Sequence, residues 1–327
     1  MELAEIETET REAIAGWREA PLRLSVIEKG GSGRLFVRIR NLDAQVSLIA
    51  MHYSDDRTDN ARFASITDFL NAHGIPAPRT FGRREDLNLL WVEDLGEIDL
   101  GNLEKEDWET VRLPAYRSAL RSVLHLHLIH ESNAPGDLPE LELSFDEKLY
   151  QWEQDYFLQQ YVARFVSEED AERLRDMPAL YELREELAGL PRSLVHRDFQ
   201  STNVMVMGNE TFLIDYQGLR WGLPEYDLAS LVYDPYTEFT REQREQLISF
   251  YFDLRRESEP SLEEGPFRRL LCQCASQRLM QAMGAYGFLS EVKGKREFLD
   301  HIPAGRKRLL AVSQEDGGIP ELSEVLS

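Results

Sequence analysis

The hydrophobic periodicity of this chain changes once, near Glu97, and that change restricts the fold more than any single motif does. Before it, the runs LRLSVIE, RLFVRIR and QVSLIAMHY alternate apolar and polar residues as strands do, and RTFGR and LNLLWVEDLG resume the pattern. One stretch in this half, residues 60–73, instead repeats Phe63, Ile66, Phe69 and Leu70 at helical intervals until GIPAP stops it. After Glu97 helical spacing takes over, at 107–131 and again at 144–188, as in helices packed on one another. The expected fold is α+β, with a small β-rich N-terminal lobe over residues 1–96 and a larger, mainly helical C-terminal lobe over 97–327.

Composition narrows the function by exclusion. A formal charge of −22 argues against nucleic-acid binding, because a phosphate backbone is held mainly by Lys and Arg. Cys272 and Cys274 are too few and too close for a disulfide framework, which points to a reducing compartment and to two small, semi-buried helix residues. The start MELAEIETETREAIAGWREA is acidic and lacks the basic and apolar segments of a secretory signal, and no stretch reaches membrane-spanning length. The expectation is therefore a cytoplasmic protein with no membrane partner. The polar tail from Ser313 is expected to be loosely held.

One segment breaks the helical half. SLVHRDFQSTNVMV, at 193–206, is followed by GNE and TFLID, which together read as a short hairpin. Asn203 precedes its first strand and Asp215 ends its second, so antiparallel pairing sets them side by side, with Asp198 in the loop that feeds the same end. Two carboxylates and an amide oxygen at one mouth suit Mg²⁺, which completes its octahedron with water and nucleotide phosphates. His196, Asp198 and Asn203 also match the kinase catalytic-loop pattern H-R-D-x-x-x-x-N, with Phe199 in the usual Leu place. In that scheme Asp198 accepts the proton of an attacking hydroxyl, Asn203 and Asp215 hold Mg²⁺ on the phosphates of ATP, and His196 braces the loop. A plain polar turn is the competing reading, and the second Asp at the far end of the predicted hairpin decides against it.

These motifs resemble the aminoglycoside phosphotransferase and choline kinase-like family, small-molecule relatives of the protein kinases. LVHRDFQSTNVMV, FLIDYQG and PEYDLASL stand in the family's order and spacing, and the two-lobe outline covers most of the chain. The resemblance implies a bilobal, protein-kinase-like fold and makes Asp227 the structural Asp that supports the catalytic loop, although it would also serve as a helix N-cap. It further implies that the glycine-rich KGGSG segment, Lys29, Gly30, Gly31, Ser32 and Gly33, folds over the nucleotide phosphates, and that LLWVEDLG, with Glu93 and Leu95, is the hinge that holds adenine.

The pattern departs from expectation in one place. A kinase's third strand usually ends in a Lys for the α- and β-phosphates, paired with a helix Glu. Aligning LIAM with that strand puts Met51 at the Lys position, and the following helix contains no Glu. Lys29, Arg34 and Arg38 lie close enough to supply substitute charge, and Lys29 or Arg34 is the expected phosphate neighbour.

Only eight residues separate Asp215 from Pro224, far fewer than a peptide-docking activation segment needs, so the acceptor is expected to be a small-molecule hydroxyl. With H-R-D at the loop, Met51 on the third strand and the late CQCASQRLMQAMGAYGFLSEVKGKREFLDHIP, the chain resembles, within the family, bacterial kinases of cell-wall recycling that phosphorylate the anomeric hydroxyl of N-acetylmuramate and N-acetylglucosamine. That likeness implies an acceptor region around Trp152, Glu153, Asp155 and Tyr156, with Arg220 and Trp221 facing the same cleft and Arg220 or Arg278 for a muramate carboxylate. The aromatics among these also fit a buried helix stripe. An aminoglycoside or choline-like acceptor is the alternative, and a nucleotide-binding pseudokinase is a second one, raised by the missing Lys. In HLHLIH only His127 and His130 can share a helix face, so structural roles are favoured over a metal site. Ser167 is a capping candidate for the helix that starts at SEEDAERLRD.

Overall fold

Period-two runs in the first hundred residues become one antiparallel sheet in the computed structural model, which describes residues 1–27, 34–54 and 58–326, with backbone alone at 58–61. Helix α1 (Leu3–Ala13) opens with a reciprocal cap in which the Glu2 amide donates to the Glu5 carboxylate at 2.7 Å. The strands β1 (Leu22–Ile27), β2 (Arg34–Asn41) and β3 (Val46–Tyr53) follow, then α2 (Thr58–Ala72), β4 (Thr80–Arg84) and β5 (Leu89–Glu93). Their order in the sheet is β1-β2-β3-β5-β4. The glycine-rich turn expected between β1 and β2 lies outside the described residues.

Both faces of this sheet are covered, which is why LIAM reads as a continuous apolar run rather than an alternating one. Val37, Ile39, Leu48, Ala50, Leu89 and Trp91 face one side, in a cluster with Ile6, Ile14 and Trp17. The buried Trp91 indole is satisfied by donating to Thr10 Oγ1 at 2.8 Å. Ile49, Met51, Leu90 and Val92 face the other side and share the main core with Phe63, Ile66, Phe69 and Leu70 of α2.

The helical half begins with a π turn at Trp108–Arg112 and α3 (Leu113–His127), then α4 (Glu147–Phe157), α5 (Ala163–Phe165), α6 (Glu168–Arg175) and α7 (Pro178–Ala188). Ser167 caps α6 as expected, accepting from the Asp170 amide at 3.0 Å. The predicted hairpin is present as β7 (Val204–Met207) and β8 (Glu210–Leu213), between β6 (Ser193–Val195) and β9 (Arg220–Gly222). Pairing of β6 with β9, which sequence reading did not foresee, sets Val195 opposite Arg220 and so brings Arg220 beside the catalytic loop.

The chain ends with α8 (Pro224–Val232), α9 (Arg241–Ser258), α10 (Glu264–Glu291), α11 (Ile302–Ser313) and α12 (Pro320–Leu326). Helix α10 runs through the middle of the lobe, and Gly287 lets it touch the chain after α4: a Cβ there would lie 2.0 Å from the Gln160 carbonyl oxygen. Cys272 and Cys274 sit on this helix fully buried rather than semi-buried, and the Cys272 thiol donates to the Val312 carbonyl at 3.3 Å. The tail also corrects its expectation. Ile319, Leu322, Val325 and Leu326 form a helical stripe buried in the main core, each such side chain contributing about 1.5–3 kcal/mol, enough to dock a segment that is polar on average. Among the described residues no helix is long and apolar enough to cross a membrane.

Candidate active site

The catalytic loop hangs from one buried carboxylate. Asp227, on the first turns of α8, accepts from the His196 amide at 2.6 Å and from the Arg197 amide at 2.8 Å. It is no N-cap, since Leu223 holds that position and Asp227 looks away from its own helix toward the loop. Arg197 adopts a left-handed φ of 77°, costly for a residue with a Cβ, and the bond from its amide to Asp227 holds it there. Behind Asp227 stands His127, whose Nε2 lies 3.1 Å from the carboxylate and whose Nδ1 lies 2.6 Å from the Tyr251 hydroxyl. The acceptor partner fixes the tautomer: His127 donates through Nε2, and Tyr251 donates to Nδ1. Sequence reading favoured a structural role for His127 but had no signal for its partner, a hundred residues further on.

The His196 ring is buried and donates from Nε2 to the Ile214 carbonyl at 2.9 Å, tying the loop to the strand that delivers Asp215. The Ile214 amide donates to the Asn203 carbonyl at 3.0 Å, so Asn203 and Asp215 stand at the same end of the β7–β8 hairpin, as the spacing predicts. The Asn203 amide nitrogen donates to the Asp198 carbonyl at 2.9 Å, which leaves its oxygen as the group it can offer elsewhere. Asp215, at a left-handed φ of 61°, accepts at Oδ1 from Arg34 at 3.0 Å and from Gln217 at 2.9 Å. Tyr216 anchors this end to the small lobe, stacking on Phe63 at 4.9 Å and sharing a 2.7 Å hydrogen bond with Thr67.

An amide oxygen and one carboxylate, both hard oxygen donors, fit a Mg²⁺ ion that keeps waters and phosphates in its shell. Among the described residues no group of three or more His, Cys, Asp or Glu is arranged to hold a metal without such help.

Asp198 is ringed by cations. Arg197 donates to its Oδ2, and Arg278 of α10 approaches Oδ1 at 3.6 Å. Burial opposes its ionisation, but the two guanidinium groups outweigh that and hold its carboxyl below the usual carboxylate range. Arg220, buried over the face of Phe145 at 5.3 Å and donating to the Gly218 carbonyl at 3.0 Å, is the third arginine of this cluster. Burial, with the neighbouring Arg197, pulls the Arg220 pKa down against Asp198, Glu153 and Glu142.

Of the acceptor-region residues expected on α4, Glu153 points inward, accepting from the Tyr226 hydroxyl at 2.9 Å and from Gln277 at 3.0 Å. Burial pushes its pKa up, partly offset by Arg197 and Arg278. Trp152 is half exposed and stacks on Tyr156 at 5.0 Å, so it is not part of a core stripe, while Asp155 is partly exposed on the same helix.

On the sheet side, Lys29, Gly30, Gly31, Ser32 and Gly33 lie outside the described residues. Arg38 is not available to phosphates: it holds Asp94 at 2.8 and 3.1 Å, the Gly96 carbonyl at 2.8 Å, and Glu97. It therefore clamps the segment after β5. The Glu93 amide is likewise spent on the Arg79 carbonyl at 2.8 Å, with its carboxylate paired to the Arg79 side chain, and Leu95 is buried.

A five-stranded sheet over a helical lobe, with a loop-borne Asp, an Asn and a hairpin Asp between them, defines a kinase-type phosphotransferase of bilobal, protein-kinase-like fold. The chain belongs to the phosphotransferase enzyme family, whose pattern matches residues 24–260. It is similar to the N-acetylmuramate/N-acetylglucosamine kinase of Neisseria meningitidis serogroup B, 24% identical over 86% of this chain and 83% of the relative. The Pseudomonas aeruginosa kinase of the same name is 23% identical over 95% of this chain and 90% of its own length. Among solved structures, a choline/ethanolamine kinase family protein from Mesorhizobium loti superposes with a TM-score of 0.65 at 15% identity, covering 99% of this chain and 98% of that one. An ADP-bound aminoglycoside phosphotransferase gives 0.58 at 12% identity, covering 93% and 97%. By class the protein is a small-molecule kinase.

Proposed function

We propose that the protein transfers the γ-phosphoryl group of ATP, with Mg²⁺, to the anomeric hydroxyl of N-acetylmuramate or N-acetylglucosamine. The observation that carries the choice of acceptor is the cluster of Arg197, Arg220 and Arg278 around Asp198, in a chain whose formal charge is −22. Positive charge concentrated at the base repels a cationic aminoglycoside or choline and attracts a sugar that carries a carboxylate, as N-acetylmuramate does. The names of the relatives point to the same sugars.

In this reading Asp198 accepts the proton of the acceptor hydroxyl, and its depressed pKa keeps it ionised at neutral pH. His196 and Asp227 hold the loop that carries it. Asn203 and Asp215 hold Mg²⁺, which when bound neutralises phosphate charge. The Glu93 carbonyl and the Leu95 backbone hold adenine, since the Glu93 amide is already engaged. Trp152 and Asp155 offer a ring face and a polar edge to the sugar, while Glu153 acts from below as counter-ion to the arginines. The reaction belongs in the cytoplasm, where ATP is supplied.

The test is a panel of N-acetylmuramate, N-acetylglucosamine, choline and aminoglycosides with ATP and Mg²⁺, read by ADP release and by phosphorus NMR of the product. Anomeric phosphate on the two sugars is expected, with Asp198→Asn lowering kcat by about 10²–10⁴ while ADP binding is unchanged. An aminoglycoside or choline turned over with a higher kcat/KM than either sugar would falsify the acceptor, and no transfer to any acceptor would support the pseudokinase.

A further inference from the structure

Met51 and Arg34 are neighbours on the same face of the sheet. In the β2–β3 register Phe36 is opposite Met51 and Arg34 is opposite Tyr53, so Arg34 lies diagonally across from Met51. Met51 is 0% exposed and shares the apolar cluster of α2, a place that would force an ammonium group out of water. Arg34 starts from the strand next door and reaches the large lobe, where its guanidinium meets Asp215 Oδ1 at 3.0 Å. Its side chain is 6% exposed and that of Asp215 is 41% exposed, so the arginine is sheathed by protein while the carboxylate stays open to the cleft. Arg38, the next arginine along this face of β2, is committed to Asp94 and Glu97.

We infer that Arg34 is the relocated cation of the nucleotide side and that it exchanges partners during binding. Without nucleotide it is the counter-ion of Asp215. When Asp215 takes up a divalent cation, that cation and the guanidinium are like charges on one carboxylate, and their repulsion moves Arg34 to the nearest anions, the nucleotide phosphates. Arg34 thus restrains divalent-cation binding until phosphate is present to receive it. This inference rests on the functional reading above, deepening its nucleotide site.

Full-length wild type, Arg34→Gln and Arg34→Lys, each checked for a cooperative thermal transition, are titrated calorimetrically with Mn²⁺ alone and with ADP in the presence of Mg²⁺. Arg34→Gln is expected to bind Mn²⁺ without nucleotide about 5–150-fold more tightly than wild type, the usual span of coupling between two sites, and to bind ADP more weakly. Its KM for ATP rises, and Arg34→Lys recovers part of each loss; if Arg34→Gln does not fold, Arg34→Lys shows the same changes at smaller amplitude. Unchanged Mn²⁺ affinity, or ADP bound as tightly as by wild type, overturns the exchange. These titrations need no turnover. A wild type that phosphorylates the sugars beside an Arg34 variant with unchanged titrations refutes the exchange alone, whereas a wild type that phosphorylates nothing refutes the functional reading.

Discussion

On the helical wall of the cleft, Asp227 holds the catalytic loop through the main-chain amides of His196 and Arg197; on the sheet wall, Arg34 meets Asp215 through a side chain alone. The first arrangement tolerates little variation, because the amides it serves are fixed by the fold and lie buried. The second requires only that positive charge arrive at one point, and a long side chain can bring it from either of two adjacent strands. Main-chain geometry thus sets the contact at the loop, and charge alone sets the contact at Asp215.

The largest effect that would break this comparison comes from Asp227→Ala. It strands two amides and His127 without their acceptor, and is expected to cost about 3–5 kcal/mol of stability in denaturant melts and to lower kcat sharply in an ADP-release assay. A variant that kept both would show that the loop is held by something else. A smaller effect is expected from Arg278→Gln. In the proposed mechanism Asp198 works ionised, and its depressed pKa keeps activity present until pH falls through that low value. Removing one of the two guanidinium groups moves the acid limb of kcat/KM to higher pH, which a pH-rate profile would register. The smallest belongs to Met51→Leu. Its effect on unfolding should stay within about 1.5 kcal/mol with kcat unchanged, because only apolar volume is required there. A large loss of kcat in that variant would return Met51 to the chemistry.

The parts legible in the sequence were those written over short distances. Strand alternation, helical spacing and the run from His196 to Asp215 each fit within about twenty residues, and the sheet, the hairpin and the meeting of Asn203 with Asp215 followed from them. What was not legible joins residues far apart. His127 and Asp227, Arg278 and Asp198, and Arg34 and Asp215 are brought together only by tertiary packing, and no periodicity encodes them. The pairing of β6 with β9 escaped for a related reason: three-residue strands carry too little pattern to stand out from a loop. The tail was misjudged because its polarity was averaged over fifteen residues, while Ile319, Leu322, Val325 and Leu326 concentrate its apolar surface on one side. Glu153 was assigned to the acceptor region by resemblance, which does not give the face it presents, and that face turns inward to Tyr226 and Gln277.

The two thiols of α10 have a practical consequence. Burial pushes Cys272 up to about 12 and Cys274 well above its ordinary value, so neither forms appreciable thiolate at neutral pH and both are shut away from reagents. The natural chain is in effect already blank to maleimide chemistry. A single cysteine introduced on the surface of each lobe would carry a spin label or a fluorophore without competition, and the distance between the pair would report in solution how far the cleft opens and shuts as nucleotide comes and goes.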